Sequence, residues 1–423
     1  MDGKKVIIIG GGASGMLAAV HASYTGASVI LIDRNERLGV KLRITGKGRC
    51  NVTNDCDREE FLRNVPRNPR FLYAALARFS PADTQSFFEM IGVPLKVERG
   101  RRVFPVSDKA NDVANALVQH CRDCGVRIVR DKVSSIAFET LADGKKRAAG
   151  VVTEKETIAG DAVIVATGGK SYPRTGSDGD GYRFARAAGH TVTEIAPSLV
   201  PLVAEGRLCA SLQGLSLKNV TLRMFESAGD GARKQIFEDF GEMMFTHFGL
   251  TGPLILSASA HLDGIYAGKY TAEIDLKPAL DDKTLDERIR SDFTRYRNRD
   301  LINALSDLLP QKLIAPIVSL SGIGERRKVH EITREERLAL GHLLKHLTVK
   351  ISGFRPIDEA IVTRGGVSVR EIDPKTMQSK LVSGLYFAGE VLDLDAYTGG
   401  YNLQIAFATG VLAGESAAEQ FFR

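Results

Sequence analysis

A glycine pattern near the N-terminus has the spacing of a dinucleotide-binding loop. Residues 10–15 read Gly-x-Gly-x-x-Gly, directly after an apolar segment at residues 6–9 and at the start of an alanine-rich helical pattern. Glycines allow a tight turn and a close approach of the backbone, and the free N–H groups at a helix N-terminus attract a pyrophosphate. We therefore predict a phosphate-binding loop here. Its predicted ligand-binding residues are Gly10, Gly12, Ala13, Ser14 and Gly15.

An acidic residue follows this loop at the distance expected for ribose recognition. Asp33 lies eighteen residues after Gly15, at the end of a second apolar segment at residues 29–32. A carboxylate in this position accepts hydrogen bonds from both ribose hydroxyls and repels a 2′-phosphate. We predict that Asp33, with its neighbour Arg34, contacts the ribose of NAD or FAD. The alternative is a glycine turn of purely structural value.

Two further apolar segments end in short strings of small residues. Residues 161–169 end in Ala-Thr-Gly-Gly, and residues 384–390 end in Ala-Gly-Glu. Together with the glycine loop they resemble the three cofactor signatures of FAD folds of the glutathione-reductase type. The resemblance implies that the first string closes the sheet near the adenosine half of FAD and that the second contacts the ribityl chain and phosphate. It also implies that a backbone group at Val133 meets the adenine. The predicted FAD-binding residues that it adds are Val133, Thr167, Gly168, Gly389 and Glu390.

Five longer segments of the chain resemble one particular family of flavoproteins. Residues 41–54, 100–107, 169–177, 245–253 and 389–404 are similar to the signature segments of the BaiN-type bacterial flavoproteins, which are described as NAD(P)/FAD-dependent oxidoreductases. The resemblance implies a discontinuous FAD domain that carries an inserted domain. It implies a less definite activity, because relatives are linked both to reduction of unsaturated steroid-like substrates and to oxidation of small amines.

The residue types in two of these segments suit a bound flavin. Residues 45–54 are rich in glycine and in hydrogen-bond donors, which suits a backbone that closely approaches the flavin and its phosphates. Glycines at residues 399–400 precede a helix whose first N–H groups would face the pyrimidine edge of the isoalloxazine and stabilise negative charge on reduction. The alternative is that both are ordinary glycine-rich loops. The predicted flavin-binding residues are Lys41, Gly46, Gly48, Arg49, Asn51, Asn402 and Leu403.

Four side chains in the similar segments are candidates for catalysis: Tyr172, Arg49, Cys50 and His247. Flavin N5 itself delivers or accepts a hydride, so the protein supplies orientation, electrostatics and a proton donor. His247 would act as a general acid beside a helix start at residues 251–253 that holds a substrate carboxylate. The alternatives are a packing role for His247, which lies between two phenylalanines, and a loop-shaping role for Tyr172.

A parallel sheet would bring these residues together. Residues 1–33 read as strand, helix and strand, and such continuously apolar strands belong to a parallel sheet covered on both faces. A helical pattern spans residues 107–124 and a strand pattern spans residues 126–129. The predicted fold class is α/β, with a doubly wound parallel sheet as the FAD-binding domain of glutathione-reductase type. An antiparallel meander is predicted from three β segments, at residues 133–138, 149–153 and 157–166.

The middle of the chain has a different pattern. Its β-like segments and charged helices do not alternate, which predicts an inserted α+β domain. A capping box, Thr333 with Glu336, starts the last of its helices. The predicted domains are residues 1–190 (first part of the FAD-binding domain), 191–347 (inserted substrate domain) and 348–423 (second part of the FAD-binding domain).

Composition excludes several classes of protein. The chain has 423 residues, of which 43% are hydrophobic and 26% charged, so it is neither disordered nor collagen-like. Its five cysteines, the lack of a signal-peptide pattern and the lack of a long apolar run predict a cytoplasmic protein without membrane association. The net charge of +6 leaves an anionic ligand or nucleic acid open.

Other residues of ligand type are interpreted structurally. Cys121 and Cys124 fall on an apolar helix face, which favours core packing over a redox or metal pair. His342 and His346 have the spacing of a metal pair but lack the adjacent glutamate of a zinc site, so no metal is predicted. Residues 322–324 lack the third glycine of a second Rossmann motif, so we predict no permanently bound nicotinamide cofactor.

The sequence as a whole predicts an FAD-dependent oxidoreductase. We expect a hydride to pass between flavin N5 and a small organic substrate, in a reductase that NADH or NADPH recharges by binding transiently. An amine oxidase that uses oxygen is the enzymatic alternative. A protein that binds or modifies RNA is the other, suggested by the basic residues at 288–328. Acidic residues alternate with them as on a solvated helix face, so we predict a small-molecule substrate and no nucleic-acid partner. The oligomeric state is not predicted.

Overall fold

The computed structural model describes residues 3–227 and 232–419, which form two compact units. One unit comprises the described residues up to Ser198 and from Pro356 onward, and the other comprises Leu199–Arg355. Both boundaries lie later than those placed at 190 and 347 from the sequence. Residues 196–198 pair with a strand of the first unit, and Leu347–Phe354 pairs with strands of the second. None of the helices among the described residues is both long and apolar enough to cross a membrane.

The elements are numbered in chain order. The helices are α1 (Ala13–Tyr24), α2 (Thr45–Gly48), α3 (Arg58–Arg63), α4 (Tyr73–Arg78), α5 (Pro81–Met90), α6 (Ala110–Asp123), α7 (Asp180–Ala187), α8 (Leu208–Ser211), α9 (Pro253–Ser259), α10 (Asp282–Arg295), α11 (Leu301–Ala304), α12 (Gln311–Ser321), α13 (Arg334–Lys345) and α14 (Tyr401–Ala418). The strands are β1 (Lys5–Ile9), β2 (Ser28–Asp33), β3 (Thr53–Asn54), β4 (Leu95–Glu98), β5 (Arg102–Pro105), β6 (Arg127–Arg130), β7 (Val133–Thr140), β8 (Lys146–Thr153), β9 (Thr157–Ala159), β10 (Ala162–Val165), β11 (Ala196–Ser198), β12 (Leu202–Ala204), β13 (Ser216–Ser227), β14 (Arg233–Phe245), β15 (Gly249–Thr251), β16 (Tyr270–Asp275), β17 (Leu347–Phe354), β18 (Val362–Arg364), β19 (Val382–Ser383) and β20 (Leu385–Phe387).

A five-stranded parallel sheet forms the centre of the first unit. Its strand order is β20-β10-β1-β2-β6, and all four pairings are parallel. Val6, Ile7 and Ile8 of β1 are fully buried, as expected for a strand whose two faces are both covered. The predicted α/β class with a doubly wound parallel sheet is therefore confirmed.

An antiparallel meander of β7, β8 and β9 lies in the same unit, and β19 adds a parallel strand to it. The third predicted segment, residues 157–166, is wrong as a single strand, because it divides into β9 and β10 and only β9 belongs to the meander. Asp161 N donates to Lys5 O at 2.8 Å, and Lys5 N donates to Asp161 Oδ2 at 2.8 Å. These bonds begin the pairing of β10 with β1 in the central sheet.

Helices α1 and α14 approach each other so closely that only glycine fits at two of the contacts. A Cβ on Gly410 would lie 2.4 Å from Ser14 O, and a Cβ on Gly414 would lie 2.2 Å from Ala18 O. The alanines of α1 leave room for this approach, and Ala18 itself is fully buried. The close contact therefore explains why these helices are rich in glycine and alanine. Both helices are apolar on all sides, as expected for buried helices.

In the second unit, six strands form a closed barrel in the order β12-β15-β14-β13-β16-β17. Val220, Leu222 and Met224 alternate along β13 and are buried in its core. The predicted capping box is confirmed at the start of α13, where Thr333 and Glu336 bond each other's backbone N–H groups. The sequence predicted strands and helices here but not a barrel, because closure depends on the pairing of β12 with β17, which lie far apart in the chain.

A buried glutamine ties α14 to several other parts of the first unit. Gln404 Oε1 accepts hydrogen bonds from Thr53 Oγ1 and Thr84 Oγ1, both at 2.7 Å, and its Nε2 donates to Phe79 O at 2.9 Å. Thr53, Thr84 and Gln404 are all fully buried. Because an unpaired buried polar group costs free energy, these bonds fix the position of α14 against β3 and α5.

Replacing Gln404 by leucine should lower the free energy of unfolding by about 2 to 4 kcal/mol, because two buried hydroxyls and a carbonyl lose their partner. Urea denaturation followed by circular dichroism measures this change. Gln119→Leu is the control, since Gln119 is exposed on α6, and it should change stability by less than about 0.5 kcal/mol. A Gln404→Leu protein as stable as the wild type would contradict the role of this side chain.

His190 is buried between a carboxylate and a hydroxyl. Its Nδ1 lies 3.1 Å from Glu371 Oε2 and its Nε2 lies 2.7 Å from Ser379 Oγ. The Ser379 Oγ accepts from the N–H groups of Leu381 and Val382, so its own proton points toward His190 Nε2. The imidazole is therefore neutral and donates from Nδ1 to Glu371. Burial lowers the pKa of His190, although Glu371 opposes part of this shift.

This histidine should make the protein less stable as the pH falls from about 7.5 to about 5.5. The unfolded chain takes up a proton near pH 6.5, before the buried imidazole does, so protonation favours unfolding. The urea midpoint at a series of pH values measures the effect, and His190→Gln removes the titrating group. Equal pH dependence in wild type and His190→Gln would show that His190 does not titrate in this window.

Candidate functional site

The glycine loop joins β1 to α1 and is shaped by contacts that differ from one glycine to the next. A Cβ on Gly10, whose φ is 105°, would lie 2.5 Å from Ala166 O, and a Cβ on Gly15 would lie 1.9 Å from Gly10 O. Apart from its chain neighbours, no described residue has an atom within 4 Å of the Cβ position of Gly12, which is the N-cap of α1. Gly10 and Gly15 therefore allow close packing, whereas Gly12 faces open space at a helix N-terminus.

The remaining predicted loop residues start α1. Ala13 is its first residue, and Ser14 is buried under a glycine from another part of the chain, since a Cβ on Gly389 would lie 2.5 Å from Ser14 Oγ. Gly389 has a φ of 78°, and its N–H donates to Thr409 Oγ1. The structure thus brings the first and third predicted FAD strings together.

Asp33 stands at the end of β2, beside the glycine loop. Its Oδ2 accepts from Gly11 N at 2.6 Å, and its Oδ1 accepts from Asn35 N at 2.7 Å. The carboxylate is therefore held in place by backbone donors, and each oxygen keeps a lone pair for a further donor. This is the arrangement that ribose recognition requires.

Arg34, the neighbour of Asp33, forms ion pairs within the protein. Its guanidinium forms ion pairs with Asp178, at 2.5 Å, and with Asp180, at 3.0 Å. The neighbouring Asn35 donates to Thr175 O at 3.1 Å. Together these two residues clamp the segment that follows Tyr172 onto the end of β2.

Lys41 and Glu390, both predicted to bind the cofactor, form one network. Lys41 Nζ donates to Glu390 Oε2 at 2.6 Å and to Ser171 Oγ at 2.7 Å, while Ser171 Oγ donates to Glu390 Oε1 at 3.0 Å. Thr363 N also donates to Glu390 Oε1, at 2.8 Å, and Thr363 Oγ1 accepts from the N–H groups of residues 170 and 171. Sequence reasoning missed Ser171 and Thr363, since neither carries a local motif and they meet only in the folded chain.

The loop at residues 45–51 has an unusual backbone. Gly46, Lys47, Gly48 and Cys50 all have φ between 56° and 84°, and residues 46–48 are exposed. Such left-handed stretches point successive N–H groups to one side, where they form an anion-binding concavity. The Asn51 Oδ1 atom is buried and has no hydrogen-bonding partner among the described residues.

Arg49 and Cys50 differ in what they offer to chemistry. Arg49 donates to Asp108 Oδ1 at 2.9 Å, pairs with Glu98 and stacks over the Phe104 ring at 4.2 Å. These carboxylates raise the pKa of its guanidinium, which therefore stays charged. Burial raises the pKa of the Cys50 thiol to about 12, so the thiol is protonated at neutral pH.

The second FAD string ends β10. Thr167 Oγ1 is buried without a hydrogen-bonding partner in the described part of the chain, and Gly168 has a φ of 73°. Val133 is buried and starts β7, where it pairs with Thr153. A buried hydroxyl without a partner is rare in proteins, and Thr167 Oγ1 packs against α7, since a Cβ on Gly181 would lie 2.2 Å from it.

The segment before α14 is closed on the helix. Asn402 Oδ1 accepts from Ala396 N at 2.9 Å, and Asn402 Nδ2 donates to Ala396 O at 2.7 Å. A Cβ on Gly400 would lie 2.3 Å from Thr53 O, so the loop presses against β3. The Asn402 side chain thus stabilises the loop before α14. The backbone N–H groups of Asn402 and Leu403 belong to the first turn of α14, where N–H groups lack helical acceptors.

The two remaining catalytic candidates lie in different units. Tyr172 belongs to the first unit, is half-buried and has a φ of 51°. His247 belongs to the second unit, in the hairpin between β14 and β15, and its side chain is exposed. Its ring meets the edge of the Phe248 ring at 5.1 Å. His247 is therefore not a buried packing residue, which was the alternative considered for it.

The cysteine and histidine pairs that resemble metal ligands in the sequence contact other protein groups. Cys121 is fully buried in the first unit, and its Sγ lies 3.6 Å from Met16 O. His342 stacks on His346, whose Nδ1 lies 2.9 Å from Glu273 Oε1. Among the described residues, no three His, Cys, Asp or Glu side chains are grouped so as to hold a metal ion.

These features of the first unit fit FAD. Gly12 leaves space beside a helix N-terminus, Asp33 presents a fixed carboxylate, and two buried oxygens, Thr167 Oγ1 and Asn51 Oδ1, await donors. A dinucleotide would supply a pyrophosphate for the space at Gly12 and ribose hydroxyls for Asp33. It would also supply hydrogen-bond donors for the oxygens of Thr167 and Asn51.

Comparisons with known proteins show the family and the fold of this chain. The family described as the HI0933-like protein Rossmann domain matches residues 4–416. The 3-dehydro-bile acid delta(4,6)-reductase of Clostridium scindens is 32% identical over 99% of this chain and 100% of its own. The ribosomal RNA dihydrouridine synthase of Escherichia coli K12 is 30% identical over 97% of this chain and 96% of its own. The 3-ketosteroid delta1-dehydrogenase structure from Sterolibacterium denitrificans has the same fold, with a TM-score of 0.52 and 13% identity over 99% of this chain and 100% of its own.

Replacing Gly12 by valine should give a folded protein with little or no bound FAD. The new side chain meets no protein atom but occupies the space beside the N-terminus of α1. The ratio of flavin to protein in the visible and ultraviolet spectrum measures the loss, and circular dichroism checks the fold. Gly324→Val is the control, since its Cβ also has room, in the second unit. A normal flavin content in Gly12→Val would contradict the phosphate-loop assignment.

Proposed function

Because the chain belongs to the HI0933-like Rossmann-domain family and is an FAD-dependent oxidoreductase, we propose that it is a reductase that adds hydrogen to an unsaturated organic substrate and is recharged by NADH or NADPH. The observation that carries this proposal is the full-length similarity to a delta(4,6)-reductase, at 32% identity. The name of that relative describes reduction, and the site of this chain has the parts that FAD needs.

Bound FAD supplies an N5 atom that accepts a hydride from one partner and gives it to another. The N-terminus of α1, with the space at Gly12, would hold the pyrophosphate, and Asp33 would accept from a ribose. Thr167 Oγ1 and Asn51 Oδ1, which have no hydrogen-bonding partner among the described residues, would accept from donors of the cofactor.

Charge near the reacting part of the site comes from helix α14 and from the Lys41–Glu390 pair. The first N–H groups of α14, at Asn402 and Leu403, stabilise negative charge. Lys41 keeps its position because Glu390 and Ser171 both accept from its ammonium group. The ion pair is half-buried, so it is screened less by salt than an exposed pair would be.

A reductase also needs a proton for the second substrate atom. Arg49 stays charged beside Glu98 and Asp108, so it would contribute a fixed positive charge rather than a proton. The Cys50 thiol is protonated at neutral pH. Tyr172 and His247 are the other proposed donors. Tyr172 is held at the start of the segment that Arg34 and Asn35 clamp, and His247 is open to solvent. A donor must reach within hydrogen-bond distance of the substrate in the complex.

The second candidate function is reduction of uridine in ribosomal RNA. It is favoured by the names of two relatives, from Escherichia coli and Haemophilus influenzae, each 30% identical to this chain over nearly the full length of both chains. Dihydrouridine differs from uridine by two hydrogens across a carbon–carbon double bond. Both candidates therefore describe the same class of reaction and differ in the size of the substrate.

Adding NADH or NADPH to the purified protein without oxygen should bleach the yellow flavin spectrum. Subsequent addition of an unsaturated 3-oxo steroid or of a uridine-containing ribosomal RNA fragment should restore the colour for the true substrate class. The Gly12→Val protein with added free FAD is the control for reduction that does not occur at the site. A flavin spectrum that neither NADH nor NADPH changes but that small amines bleach would instead identify the amine oxidase, the alternative suggested by the sequence.

A further inference from the structure

Two distant segments of the second unit lie side by side and carry a concentration of basic residues. The first comprises the last residue of α10, Arg295, and the turn after it, with Arg297 and Arg299. The second follows α12 and contains Arg326 and Lys328. We call these five residues the basic surface. Backbone bonds join the segments, from residue 301 N to residue 327 O at 2.9 Å and from residue 329 N to residue 299 O at 3.1 Å.

Acidic neighbours neutralise only part of this surface. Arg295 pairs with Asp307 at 3.2 Å, and Lys328 pairs with Asp300 at 2.8 Å. Arg297 and Arg299 are exposed and form no ion pair with any described residue. The Arg326 side chain is 89% exposed and lies 4.0 Å from its chain neighbour Glu325. Three guanidinium groups are thus available to an external anion.

An aromatic ring lies among these arginines. The guanidinium carbon of Arg299 is 4.4 Å from the centroid of the Tyr296 ring, and that of Arg295 is 5.2 Å from it. The Tyr296 hydroxyl donates to Asp307, which fixes the ring. Guanidinium groups held over an aromatic ring are presented as planes, which can stack on a base or bind a phosphate through two parallel hydrogen bonds.

We propose that the basic surface binds the phosphate backbone of single-stranded RNA. The guanidinium groups of Arg297 and Arg299 are exposed and have no acidic partner among the described residues, and their planar donor geometry matches a phosphate group. An aromatic residue among arginines is typical of nucleic-acid sites. The turn is also held rigidly, because the backbone carbonyl of Arg297 is bonded to His330 Nδ1 at 2.8 Å. This inference rests on the second candidate function, in which RNA carries the uridine to be reduced.

The test compares wild type with the variant Arg297→Ala/Arg299→Ala/Arg326→Ala, both loaded with FAD. The probe is a fluorescein-labelled single-stranded RNA of about 40 nucleotides, and fluorescence anisotropy is measured at several salt concentrations. The variant should bind at least about tenfold more weakly in low salt. The slope of log affinity against log salt should fall by about 2, because each lost phosphate contact removes about 0.7 released counterions from single-stranded RNA.

Two control variants distinguish the effect of charge on the basic surface from the effect of the protein's total charge on RNA affinity. Arg122→Ala/Arg127→Ala/Arg130→Ala removes the same charge from exposed positions of the first unit and should bind RNA like the wild type. Arg297→Lys/Arg299→Lys/Arg326→Lys keeps the charge and should restore most of the salt slope. All variants should keep their flavin content and their reduction by NADH or NADPH, so failure of the proposed redox reaction is distinguishable from failure of RNA binding.

Two results would overturn the proposal. One is equal RNA affinity and salt slope in the wild type and the alanine variant. The other is binding of the wild type to phosphatidylserine vesicles, but not to RNA, with loss of vesicle binding in the alanine variant, which would assign the basic surface to an anionic membrane.

Discussion

The close approach of α1 to β1 is the constraint on which the first unit depends. A side chain at Gly15 would collide with Gly10 O at 1.9 Å, and a side chain at Gly410 would collide with Ser14 O at 2.4 Å. The helix is thus held against the sheet on one side and against α14 on the other. Its N-terminus is fixed beside the ends of β1 and β10, with space beside the Cβ position of Gly12. The site that we propose for the pyrophosphate is therefore shaped by backbone packing, and it needs no charged side chain.

Around this fixed point, the chain assembles its donors and acceptors from distant segments. Lys41, Ser171, Thr363 and Glu390 come from four separate segments and share one hydrogen-bonded network. Such a network holds each member in a single position, because a buried donor or acceptor that moved would lose its partner. It therefore positions the charges at the site before any ligand arrives. Pre-organisation of this kind is what electrostatic stabilisation of a reacting flavin requires.

The second unit contributes a different kind of surface. Apolar side chains fill the core of its barrel, whereas His247 and the arginines of the basic surface are exposed. Family relatives act on a bile acid and on ribosomal RNA, by their names, while sharing the whole length of this chain. The names of these relatives thus cover substrates of very different size, so membership of the family does not by itself identify the substrate.

The sequence alone determined the parallel sheet, the glycine loop and the acidic residue at the end of β2, because these depend on local patterns of apolar residues and on glycine spacing within about thirty residues. It also separated the inserted segment from the FAD-binding segments. The tertiary structure decided that β9 and β10 belong to different sheets, that the inserted strands close into a barrel, and that Arg34 turns to Asp178 and Asp180. It alone placed Lys41 and Thr363 in contact with the same two residues, Ser171 and Glu390, and joined the two arginine segments to each other. Such contacts join residues that are distant in the chain, and no local pattern of residue types specifies which of many possible partners a side chain meets.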